Sequence, residues 1–221
     1  MSKVSIGDFD FELHNNGTAT IVKYTNHSKS NVTVPHGVNG CDVVTIGMNV
    51  FRGHNEITCV NIPDTITVIQ QNAFYACTSL ERVIVLSDQL YVHDNAFAYC
   101  KKLKQIIGEG NMILSGDGVF AGCGKLWEFR YSIGNSIVPN ESFHGCKRLE
   151  KLSFLQGVTF GRNVFFGCTS MKELWFFSDA HADCDTTRFI KKREIHCKPT
   201  SNLVDLAYDG ANIVFIEEQV W

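Results

Sequence analysis

A mostly-β solenoid is the fold class that this sequence predicts: a right-handed coil of repeats, each about 23 residues long, building a parallel sheet. Two observations carry this reading. Phenylalanine recurs at positions 51, 74, 97, 120, 143 and 165, at intervals of 23, 23, 23, 23 and 22 residues. Further columns of one residue type keep step with it. Three residues after each Phe stand His54, Cys77, Cys100, Cys123, Cys146 and Cys168; six after stand Ile57, Leu80, Leu103, Leu126, Leu149 and Met171. Nine after come Val60, Val83, Ile106, Phe129, Leu152 and Leu174, and eleven after come Ile62, Val85, Gly108, Tyr131, Phe154 and Phe176. Rows of this kind arise when each repeat makes one circuit and stacks its side chains on their counterparts in the next.

Each element follows from these offsets. Positions nine and eleven differ by two, so they share one face of a short strand and turn inward. The Phe column fills the space between the walls from the opposite side. Gly53, Ala76, Gly122, Gly145 and Gly167 precede the Cys position and fit a tight turn; Tyr99 departs from that pattern and predicts an altered turn. Thr67-Val68-Ile69 reads as a second short strand, with Gln89-Leu90-Tyr91-Val92 as its counterpart. Gly108-Glu109-Gly110 and Ser115-Gly116-Asp117-Gly118 are too irregular for a phosphate-binding fingerprint and predict a widened turn. The short last circuit places a trimmed turn near Gln156-Gly157. At the N-terminus, Asn15-Asn16-Gly17 between the alternating Phe9–Leu13 and Thr18–Ile21 signals a β-hairpin. One domain results, with a cap over 1–46, six repeats over 47–178 and a second cap over 179–221.

Composition sets bounds on function. The chain has 221 residues, 44% hydrophobic and 19% charged, with a net charge of -3. That is the profile of a folded domain without the basic surplus of a nucleic-acid binder. No basic start followed by an apolar run marks a signal peptide, and no apolar run is long enough for a membrane span. These features read as cytoplasmic. Nine cysteines would suggest disulfides in a secreted chain. Five of them share one repeated column without any Cys-x-x-Cys, so the reading is packing as small buried hydrophobes.

The columns resemble the BspA-like leucine-rich-repeat family. Asn72-Ala73-Phe74-Tyr75-Ala76-Cys77-Thr78-Ser79-Leu80, Asn95-Ala96-Phe97-Ala98-Tyr99-Cys100-Lys101-Lys102-Leu103 and Ile62-Pro63-Asp64 carry the resemblance. Gly118-Val119-Phe120 and Glu141-Ser142-Phe143 keep the Phe and lose the Ala. The resemblance implies a leucine-rich-repeat solenoid. It also implies a closing strand at 194–199, a short helix near 201–208 and a last strand at 213–216, a small β-α-β-like cap. It implies adhesins and interaction modules at the cell surface or secreted. Fold alone does not choose the ligand.

His181, Cys184, His196 and Cys197 suit zinc by residue type, against cap packing or a Cys184–Cys197 disulfide. On an alternating strand, one of His196 and Cys197 faces the core. Asn16, Asn26, Asn31 and Asn140 begin glycosylation sequons, which matter only in a secretory pathway. No nucleophile, acid and base converge, so no enzyme, cofactor or metal is expected. The residues beside the inward ones form the outward sheet face: Arg82, Gln105, Glu128, Lys151 and Glu173 with Cys59 in one column, and Ile84, Ile107, Arg130, Ser153 and Trp175 with Asn61 in the next. Trp and Arg are favoured at interface hot spots, and mixed charge suits a protein over a polyanion. The expected function is a non-enzymatic scaffold that binds a protein through this face. Two alternatives are a carbohydrate-binding module stacking sugars on Trp127, Trp175 and Phe177, and a self-associating structural protein.

Overall fold

The computed structural model describes residues 2–130, 132–135, 137–155, 158–176, 194–197 and 212–215. The N-terminal arm comprises β1 (Ser2–Ile6), β2 (Phe9–Leu13), β3 (Thr18–Tyr24), β4 (Asn31–Thr33), β5 (Gly37–Val38) and β6 (Cys41–Ile46). β2 and β3 pair antiparallel around a turn in which Gly17 takes a φ of 79°, a value that favours glycine. β1 adds antiparallel to β2, and β3 then runs parallel to β6. Phe9 and Tyr24 lay their rings 6.3 and 5.0 Å from Phe51 and cover the first end of the Phe row.

The circuits follow as β7 (Cys59–Ile62), β8 (Val68–Ile69), β9 (Arg82–Val85), β10 (Gln89–Val92), β11 (Gln105–Ile107) and β12 (Asn111–Leu114). After them come β13 (Glu128–Phe129), β14 (Ser132–Ile133), β15 (Ile137–Val138), β16 (Lys151–Phe154), β17 (Thr159–Phe160) and β18 (Glu173–Phe176). β19 (Glu194–Cys197) and β20 (Asn212–Phe215) continue from β18 in parallel. Two parallel walls result. The front wall runs β4-β7-β9-β11-β13, and the back wall passes through β6-β8-β10-β12. Residues nine and eleven after the Phe point inward as their parity requires in four circuits, where Val60, Ile62, Val83, Val85, Leu152, Phe154, Leu174 and Phe176 are all buried; in the other two described circuits Ile106 is buried, and Gly108 and Phe129 are half-buried. Tyr131 and the 156–157 turn lie outside the described residues.

A third side of the coil is held without strands. The N–H groups of Phe51, Phe74, Phe97, Phe120 and Phe143 donate to the next circuit over 2.7–3.0 Å. The Phe rings stack face to face, with centroids 4.8 Å apart for Phe51–Phe74 and 4.9 Å for Phe74–Phe97. Those steps equal the spacing of paired strands, so the row and the walls share one pitch. Left-handed backbone flanks each ring. Two residues after the Phe, Gly53, Ala76, Tyr99, Gly122, Gly145 and Gly167 all have φ between 57° and 79°. The turn at Tyr99 is therefore not altered: Tyr99 adopts φ 60° and keeps the inter-circuit bond to the Ala121 carbonyl at 2.7 Å. The departure is absorbed in the next circuit, where a Cβ on Gly122 would meet the Tyr99 ring at 2.8 Å. Two residues before the Phe lies a second left-handed column, Asn49, Asn72, Asn95, Gly118, Glu141 and Asn163. Asn tolerates this region better than other L-residues, which explains its recurrence there.

The cysteine column does more than fill space. Each thiol donates to the carbonyl of the Phe in the preceding circuit: Cys77 to Phe51 at 2.8 Å, Cys100 to Phe74 at 3.1 Å, Cys123 to Phe97 at 3.1 Å, Cys146 to Phe120 at 3.2 Å and Cys168 to Phe143 at 3.0 Å. The same carbonyl already accepts the backbone N–H three residues on, so the thiol satisfies its second lone pair. Burial pushes the Cys123 thiol up to about 12 and raises those of Cys100 and Cys146 well above the ordinary range. These groups stay protonated in the fold above about pH 8.5, where an unfolded chain loses its thiol protons. The unfolded state then binds fewer protons, so unfolding free energy falls as pH rises through that value. Urea midpoints should drop between pH 7 and pH 10, and by less in Cys100→Val; an equal drop in that variant would refute the assignment.

Regularity breaks in the third and fourth circuits. The 108–118 segment is tightened, not widened. A Cβ at Gly110, whose φ is 123°, would lie 2.3 Å from the Asp88 carbonyl oxygen, and one at Gly116 would lie 2.3 Å from the Asp94 nitrogen. Glycine is there because backbone meets backbone. In the fourth circuit the back wall is interrupted: β14 pairs with β12 and, through Ile133 and Phe154, with β16, while β15 pairs only with β17 among the described strands. At the gap the Asn135 side chain replaces a strand. Its Oδ1 accepts the Leu114 N–H at 2.6 Å and its Nδ2 donates to the Leu114 carbonyl at 2.7 Å. Phe129 enters edge-on between Phe120 and Phe143, at 5.3 and 5.7 Å. The Phe row widens along these circuits, from 4.9 Å for Phe74–Phe97 to 5.4 Å for Phe97–Phe120, 5.5 Å for Phe120–Phe143 and 6.3 Å for Phe143–Phe165.

Candidate interaction face

The outward side chains of the front strands are set by the pleat, which alternates them with the buried row. Arg82, Arg130 and Lys151 are exposed; Ile84, Gln105, Ile107, Glu128, Ser153, Glu173 and Trp175 are half-buried. Cys59 departs from the outward column and is buried at 7% exposure, in register between Asn31 of β4 and Arg82 of β9. No ladder joins β13 to β16 among the described residues, so the face is two patches and not one uninterrupted sheet.

The first patch lies on β9, β11 and β13. Glu128 accepts hydrogen bonds from Gln105 Nε2 and Arg130 Nε, each at 2.5 Å, which orients both partners. Beside them is an open groove of about 370 Å³ lined by Ile84, Leu86, Ile107, Asp88, Glu109 and Arg130. Leu86 is 63% exposed, a large apolar side chain left facing solvent. Leu86 directly follows β9, two residues beyond the outward Ile84.

The second patch surrounds Trp175. Its indole N–H donates to Glu173 at 2.9 Å. The Lys151 ammonium lies 4.1 Å from the ring centroid on the β16 side, and the His196 ring stacks 3.7 Å away on the β19 side. Such contacts hold an aromatic rigid before binding. They also occupy the ring where a sugar would stack. His196 thus packs on the outward Trp175; His181, Cys184 and Phe177, and the side chain of Cys197, lie outside the described residues. So does the 201–208 helix. Trp127 is half exposed and immediately precedes β13.

One cluster escaped the sequence reading. His27, His54 and Glu56 each bring a ligand-type atom within 4.8 Å of the others. The available signal was His54, the single residue other than Cys in its column.

Short parallel strands stacked once per circuit, a one-sided Phe row and an outward strand face define a leucine-rich-repeat solenoid. Comparison with family models agrees. Residues 44–172 match six copies of the BspA type leucine-rich repeat region, and the chain belongs to that family. Among solved structures it is similar to a leucine-rich-repeat protein of T. pallidum, with a TM-score of 0.60 and 24% identity over 77% of this chain and 91% of that one. It is also similar to a leucine-rich cell surface protein of Faecalibacterium prausnitzii A2-165, with a TM-score of 0.57 and 25% identity over 84% of this chain and 57% of that one. Comparison with curated protein sequences finds no match.

Proposed function

We propose that the protein is a non-enzymatic scaffold that binds another protein through the outward face of its front wall. The observation that carries this reading is the first patch: an exposed apolar groove formed by Ile84, Leu86 and Ile107, rimmed by an Arg130 already oriented by Glu128. Apolar centre and charged rim are the anatomy of a protein interface. The Trp175 patch, with Lys151, Ser153 and Glu173 beside it, supplies a second anchor. Both patches present side chains held in place before contact, which lowers the entropy lost on binding. The family supports an interaction role, and the cell-surface relative supports one outside the cell. Adhesion to a surface protein is the form of the role that fits both.

The test is capture of partners from candidate host or cell-envelope extracts with wild type, Arg130→Ala and Trp175→Ala in parallel. For a partner so identified, each variant should bind about 2 kcal/mol more weakly, as expected for a hot-spot residue. Unchanged affinity in both would exclude this face.

A further inference from the structure

We propose that His27, His54 and Glu56 form a surface site for a divalent first-row transition metal, with zinc as the reference ion, that clamps the N-terminal arm to the first circuit. The position of His54 explains why a site arises there. In later circuits the residue three after Phe is a Cys whose thiol caps the preceding Phe carbonyl. The first circuit has no preceding repeat Phe, so that duty is absent, and an imidazole takes the column. His54 is buried at 8% exposure, with its ring 5.2 Å from Tyr24. Its Nδ1 lies 2.6 Å from Glu56 Oε1.

The third residue comes from a different part of the chain. His27 belongs to the link between β3 and β4, and its ring stacks parallel to His54 at 4.7 Å. Its Nδ1 is 3.7 Å from the same Glu56 oxygen. That link is fixed by its own hydrogen bonds. Asn26 Oδ1 accepts from the Ser28 and Lys29 backbone N–H groups at 2.8 and 3.1 Å, and Lys29 pairs with Asp8. His27 is therefore presented by an ordered turn.

Zinc bonds of about 2.0–2.1 Å in tetrahedral geometry place ligand atoms about 3.3 Å apart. The two separations to Glu56, 2.6 and 3.7 Å, bracket that value, and all three ligand atoms lie within 4.8 Å of one another; closing on one ion takes a rotation of the exposed His27 ring out of its parallel stack. Two imidazoles and a carboxylate suit zinc, copper and nickel over calcium or magnesium. A second observation points to a ligand. The Tyr24 hydroxyl, in the same corner, is buried and has no hydrogen-bond partner. Buried hydroxyls are normally satisfied, and a metal-bound water in the open fourth position is a suitable acceptor or donor. On binding, the metal takes the place of the hydrogen between His54 Nδ1 and Glu56, with the neutral imidazole carrying its one proton on Nε2.

Calorimetric titration of the full chain with zinc chloride tests the site, alongside His27→Ala and Glu56→Gln. His27 is exposed, so His27→Ala should keep the metal-free urea midpoint of wild type. The expected result is one zinc per chain at micromolar affinity, a higher Tm with zinc, and about tenfold or greater weakening in both variants, since even outer-shell partners have effects of that size. Cobalt in place of zinc should show visible bands without thiolate charge transfer. Absence of binding in wild type, equal binding in His27→Ala, or a thiolate signature would each overturn the proposal.

Discussion

Phe97→Ala should destabilise the protein by about 3–5 kcal/mol, the range for removing a fully buried aromatic ring without collapse of its surroundings. Phe97 is 1% exposed and stacks on Phe74 and Phe120 at 4.9 and 5.4 Å, so its loss opens a gap in the middle of the row. The neighbours cannot close it, because their backbones are tied to adjacent circuits on every side of the coil. The loss is a large share of the stability of an ordinary domain. Equilibrium urea unfolding measures it. Phe165→Ala, at the wider 6.3 Å step, should fall at the low end of the same range. A loss below about 1 kcal/mol for Phe97→Ala would show that the row is not the core.

Asn135→Leu should cost roughly 2–5 kcal/mol despite the similar size of the new side chain. Asn135 is buried at 9% exposure, and its amide holds both polar groups of Leu114. Leucine leaves an N–H and a carbonyl buried without partners, each at about 1–3 kcal/mol. Hydrogen exchange gives the specific signature: the Leu114 amide should lose protection before its neighbours in β12. A Leu114 amide that stays protected in Asn135→Leu would mean that another group takes over the gap. A hydrophobic replacement that destabilises a hydrophobic-looking site separates this role from packing.

How much of this could be read in advance varies by residue. The Phe and Cys columns showed the circuit length, the inward row and the buried thiols. The outward residues followed from parity, and all but Cys59 lie where parity puts them. The carbonyl partners of the thiols were not visible, because they depend on which circuit lies above which. Tyr99 looked like a defect because the pattern at its own position was judged alone; its ring is accommodated by Gly122, a full circuit away. The left-handed Asn column stood in the sequence unread, at Asn49, Asn72 and Asn95.

The sequence by itself determined the class of fold, since a repeated inward row can be buried only by stacking circuit on circuit. Tertiary structure alone decided where that regularity ends. The gap filled by Asn135, the division of the outward face between β13 and β16, and the meeting of His27 with His54 and Glu56 each depend on the relative placement of distant segments. Side-chain periodicity reports which way a residue faces, whereas hydrogen bonds between circuits are set by register, and register is a property of the assembled coil.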